Sequence, residues 1–171
     1  MFGRKKKFTK EYYRELNDTY DFTKSFFETR NEFNILLKNN NSLEYELLAI
    51  LFFHSIQSIK KIFSNDELAS KLIDTVRNCY YDNLKNKMNC SFDERQSACN
   101  NLDKRYNEYA DILKEKEPFL ATTKRFIKNS FSVTEVNDFS LTVPTSFILM
   151  KAVTLIENTT INLKDKYFIE T

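Results

Sequence analysis

One glycine, two prolines, one histidine and no tryptophan occur in 171 residues, and most of these scarcities close off a class of protein. Tight hairpins need residues that adopt positive φ or end a strand ladder, and glycine supplies most of them. A long all-β chain or a doubly wound sheet is therefore not expected, and an all-helical chain is. With a single glycine, neither a phosphate-cradling loop nor a dinucleotide fingerprint can be written. With a single histidine, His54, the paired Glu-x-x-His motifs of a di-iron bundle are out of reach. Zinc needs three or four ligands from His, Cys and carboxylates at suitable spacing, and no stretch approaches that. No metal and no cofactor are expected.

Cysteine is scarce and odd in number: Cys79, Cys90 and Cys99, without C-x-x-C spacing. Disulfide frameworks use pairs and a secretory setting, so reduced thiols are expected, with a Cys90–Cys99 redox pair as the alternative. The basic start runs into Phe8-Thr9-Lys10-Glu11 instead of an apolar stretch, so no signal peptide is expected. Nor does any run supply the roughly 20 apolar residues of a membrane span. The nearest, Phe147 to Ile156, contains Lys151 and reads as a buried helix. Charge of one sign is lacking too: 26 Lys and Arg stand against 24 Asp and Glu, too even a balance to argue for nucleic acid. A cytoplasmic location is expected, with peripheral membrane attachment as the other option.

What is present suits a packed globule. Hydrophobic residues make up 42% of the chain and charged residues 29%, which argues against disorder. The length fits one helical domain over residues 1–171, able to bury about 70% of its unfolded surface. Residues 1–8 read as a basic N-terminal tail and 159–171 as a C-terminal tail.

The centre of this domain is Asn41 to Phe63. Asn41 and Glu44 form a capping box, followed by the unbroken apolar run Leu47 to Phe53. Tyr45, Ala49, Phe52, Ile56, Ile59 and Phe63 share one face at helical spacing. The opposite face is apolar at Leu43, Leu47 and Ile50, then polar at His54, Gln57, Ser58 and Lys61. Such a helix is enclosed in its first half and surfaces along the His54 edge in its second.

Around it the chain reads as about six helices, mostly antiparallel neighbours. Thr9 to Lys38 forms one long helix, or two broken near Asn17-Asp18-Thr19, ahead of a turn at Asn39-Asn40-Asn41. Ser64 with Glu67, and Ser91 with Glu94, are capping boxes. Behind the first, Leu68, Leu72, Val76, Tyr80 and Leu84 recur every four residues; behind the second come Ala98, Leu102, Tyr106, Tyr109 and Leu113. Pro118 stops that helix and begins a shorter one with Phe119, Leu120, Phe126, Ile127 and Phe131. Val133 to Val143 reads as a ragged loop, and Pro144 as the first turn of a last helix. Phe147 to Met150 make that helix apolar on more than one face, so it should pack on the central one.

Candidate functional groups are few. Arg4, Lys5, Lys6 and Lys7, flanked by Phe2 and Phe8, could rest on anionic lipid or nucleic acid. Tyr167, Phe168 and Ile169 follow a charged spacer and form either a docked end or a hook for another chain. His54 could act as a general base beside Ser58; the ordinary expectation is a structural histidine bonded to a hydroxyl or carbonyl. No catalytic residue is assigned. The expected function is non-catalytic binding of a partner, another protein first, a weak anionic membrane contact second, nucleic acid least. A ligand or catalytic pocket beside His54 and Ser58 is the third option.

Overall fold

The apolar spacings set out above become six helices in the computed structural model, which describes residues 2–30, 33, 42–63, 66–131 and 139–168. The side chains of residues 2–6, 66 and 168 fall outside the description. Helix covers 91% of the described residues, and no strand occurs among them. The elements are α1 (Phe2–Glu28), α2 (Ser42–Ile62), α3 (Asp66–Asn86), α4 (Phe92–Ile112), α5 (Pro118–Phe131) and α6 (Phe139–Phe168).

Helix α2 packs against all the others. They close a ring around it in which α1 meets α3, α3 meets α4, α4 meets α5, α5 meets α6 and α6 returns to α1. The residues of α2 explain its central place. Every position from Glu46 to Phe53 is buried, and so are Ser55, Ile56, Ser58 and Ile59. A helix can bury consecutive positions only when it is walled on all sides. His54 and Gln57 stay half-buried and Lys61 is exposed, so the polar edge lies at the C-terminal half, with Ser58 as the exception.

Local signals account for several boundaries. The amide of Glu94 donates to Ser91 Oγ at 3.3 Å and the amide of Ser91 to Glu94 Oε2 at 2.7 Å, closing the capping box of α4. The boxes expected at Asn41 and Ser64 lie outside the described residues, as does the turn at Asn39 to Asn41. Pro118 opens α5, where its missing amide proton is not needed. The four-residue repeat of α3, Leu68 to Leu84, is buried throughout.

Other boundaries differ from expectation. Helix α1 starts at Phe2 and runs unbroken through Asn17-Asp18-Thr19. Asn17 Nδ2 donates to the Tyr13 carbonyl at 3.1 Å and Thr19 Oγ1 to that of Glu15 at 2.8 Å, so these side chains bond back onto their own helix instead of ending it. Most of residues 1–8 and the start of 159–171, expected as tails, are therefore helical. Pro118 does not stop α4, which ends at Ile112, and Leu113 is exposed while Ile112 takes the core position. Helix α6 begins at Phe139, so Pro144 sits inside it and the expected loop is helical from that point. Pro144 has no amide proton, so it makes no helical bond back to residue 140 and its ring crowds that carbonyl.

The extension of α6 also corrects the membrane expectation. Phe139–Tyr167 is long and apolar enough to cross a bilayer by length and composition, and only a third of its apolar window is buried in the bundle.

Candidate functional site

The most polar point of the interior is Glu46, set between Tyr45 and Leu47 on α2. It is 4% exposed. Its Oε1 accepts from Tyr109 Oη and, at 3.0 Å, from Asn129 Nδ2; its Oε2 accepts from Arg105 Nε at 3.1 Å. Arg105 also reaches Glu108 with Nη1 at 2.7 Å. Burial pushes the Glu46 carboxyl above its usual range, and the bonds from Asn129 and Tyr109 and the charge of Arg105 only partly reverse this. The Glu46–Arg105 pair lines a cleft of about 420 Å³ between α2, α4 and α5, along with Tyr45, Asn101, Lys104 and, from α3, Tyr80. With three donors bound, Glu46 joins α2, α4 and α5.

A second feature lies on the outside of α6. Phe139 is 81% exposed, Val143 61%, Phe147 52% and Met150 51%. Their spacing puts them in one line along the helix, and the exposed Ile161 continues it further down. Ser146 Oγ donates to Thr123 Oγ1 at 3.1 Å, so α5 borders this line on one side with exposed Leu120, Lys124 and Lys128. On the other side the Lys151 ammonium lies 5.1 Å from the Phe22 ring and 5.0 Å from the Phe26 ring of α1. Arg30, Val143, Pro144 and Phe147 line a shallow hollow at the N-terminal end of α6. Sequence reading took Phe147 and Met150 for core and missed this face, although a helix apolar on several sides was the available signal.

The residues singled out from sequence are scattered. Lys7 is exposed, and Arg4 to Lys6 belong to the start of α1, their side chains outside the description. Tyr167 Oη donates to Glu11 Oε2 at 2.6 Å and its ring meets Phe8 edge-on at 5.8 Å. Lys166 Nζ joins the same carboxylate at 2.7 Å. Bonds from Lys166 and Tyr167 hold the Glu11 carboxyl below the usual range, and the same contact raises the Tyr167 phenol. The start of α1 and the end of α6 therefore meet at one end of the bundle. Phe168 closes α6, its side chain outside the description, and Ile169 lies outside the described residues.

His54 departs from the bonded structural histidine expected. Its Nε2 is enclosed with no hydrogen-bond partner among the described residues, and its ring meets Phe53 at 5.1 Å. Burial pushes its pKa down to about 4, against the opposing charge of Glu157. Ser58 is buried, and neither residue lines the cleft beside Glu46 or the hollow on α6. The three cysteines are free; burial drives the Cys79 thiol up to about 12, and Cys90 Sγ sits 2.9 Å from Tyr45 Oη. Among the described residues no group of three or more His, Cys, Asp and Glu could hold a metal ion.

No known protein family, no curated protein and no solved structure matches the chain.

Proposed function

We propose that this chain is a non-catalytic helical protein that acts by binding another protein, along the uncovered face of α6. One observation carries this reading: Phe139, Val143, Phe147 and Met150 are all more than half exposed in a single line. Scattered apolar residues on a surface are ordinary, whereas a contiguous apolar face marks a site that something covers. The ionisable groups of the interior add support by elimination. Glu46 is bound by its donors, and the half-buried His54, its Nε2 enclosed, is neutral near pH 7.

The test is the double variant Phe147→Glu, Met150→Glu, compared with the unaltered protein after native purification. Circular dichroism first checks that both are folded. In native mass spectrometry the unaltered chain is expected in a complex of fixed stoichiometry and the variant alone. Identical stoichiometry in both would rule out this face.

A second reading is peripheral attachment to anionic membrane through Arg4, Lys5, Lys6 and Lys7, with nucleic acid a weaker form of the same idea. It has the apolar length of α6 in its favour. Against it, those cations belong to the far end of the bundle, where α1 starts beside Lys166 and Tyr167.

A further inference from the structure

We infer that the occupant of the α6 face is an amphipathic helix whose apolar seam is flanked by acidic residues; this rests on the reading of that face as a protein-binding surface. The line Phe139, Val143, Phe147, Met150 steps by four, four and three residues, and Thr154 and the acidic Glu157 take the next positions before the exposed Ile161. That is the seam into which a second helix sets its own side chains, knob into hole.

Beside the N-terminal part of the seam, the charges on the described residues of α5 and α6 have one sign. Helix α5 contains Lys124, Arg125 and Lys128 and no acidic residue. Helix α6 contains Lys151 and no acidic residue before Glu157. The chain carries 24 acidic residues, yet none lies on either helix next to the exposed Phe147 and Met150. Lys124 is exposed on α5, the helix that the Thr123–Ser146 bond sets beside this part of α6. On the opposite flank, Lys151 is held over Phe22 and Phe26. A helix with carboxylates on both sides of its apolar seam meets cations on both sides here.

Other occupants fit less well. A second copy of this chain would bring Lys124, Lys128 and Lys151 against the same residues of its partner, and like charges across an interface oppose association. An anionic bilayer suits both the charge and an apolar helix face, but the rest of the surface does not support it. The densest cations, Arg4 to Lys7, also lie near Lys166, roughly 30 Å along α6 from Phe147 at 1.5 Å per residue. Spanning a bilayer would strip Ile148, Leu149, Ala152 and Ile156 from the core they occupy.

The test uses two synthetic helical peptides with the same leucine seam, one flanked by Glu and the other by Lys. Each is titrated into the full chain by fluorescence anisotropy. The acidic peptide is expected to bind at least about tenfold tighter, a preference that salt erodes. Phe147→Glu should abolish binding of both. Lys124→Glu with Lys128→Glu should reverse the preference at an unchanged melting temperature.

Equal binding of the two peptides, lost in Phe147→Glu, overturns the acidic partner and leaves the protein-binding reading intact. A dimer in light scattering that Phe147→Glu dissociates makes the occupant a second copy and overturns the inference. Flotation with phosphatidylserine vesicles that needs Phe147, without peptide binding, overturns both. Absence of any Phe147-dependent peptide binding overturns the inference.

Discussion

Tyr109 donates its phenolic proton to the carboxylate of Glu46, tying α4 to the central helix α2 across the interior. A hydrogen bond to a charged group contributes about 1.5–3 kcal/mol, so Tyr109→Phe should lower stability by that amount. Glu46→Ala should lower it by about 1–3 kcal/mol, because it leaves the buried Tyr109 hydroxyl without its acceptor and costs Asn129 its bond to Glu46, while Arg105 keeps Glu108. Urea unfolding near pH 7 measures both. Unchanged midpoints would mean that the clamp contributes little.

His54 makes stability fall with acid. Its pKa in the fold, about 4, lies below the unfolded value near 6.5. Between those limits the unfolded chain binds more protons, so stability is full above pH ~6.5 and declines as pH falls towards ~4. The loss for this group is about 3 kcal/mol. His54→Gln should remove that part of the slope, leaving the decline due to other groups. The check is the difference between urea midpoints at the two ends of this window. Identical slopes in both proteins would mean that His54 titrates normally.

Thiol labelling should separate the cysteines. Cys99 is half-buried, while Cys79 and Cys90 are buried, and the thiolate is the reactive form. Cys99 should react first in the native protein, and the other two only on unfolding. Rapid modification of Cys79 would contradict its enclosure.

Replacing Arg4, Lys5, Lys6 and Lys7 with Gln should leave the fold intact. No acidic residue stands in the first turn of α1, and cations at a helix start oppose its dipole. A small rise in melting temperature is expected. Binding to anionic vesicles at physiological salt is expected to be weak before and after. Tight flotation that this variant loses would promote the membrane reading.

Deleting residues 165–171 should lower the melting temperature by a few degrees, because it removes Lys166 and Tyr167 from Glu11 and uncovers Phe8. Glu11→Gln should give part of the same loss. An unchanged melting temperature would mean that this end contributes nothing to the fold.

The sequence by itself determined the helices and most of what starts them. Ser91 and Glu94 close a box within four residues, Pro118 opens a helix through its own ring, and the repeat from Leu68 to Leu84 defines one face of α3. These are local facts, settled by backbone chemistry and a few neighbours. The long apolar run of α2 likewise marked a helix that must be enclosed. Tertiary structure alone decided the rest. The donors to Glu46 come from Arg105, Tyr109 and Asn129 on two other helices, and no spacing along the chain announces them. The same holds for α6. Periodicity reports that a face is apolar but not how many neighbours a helix will have. A ring of five around one has a single fully enclosed place, and α2 fills it. Helix α6, nearly as apolar, is left in the ring with α1, α2 and α5 against it, and its outer side keeps Phe147 and Met150 about half exposed.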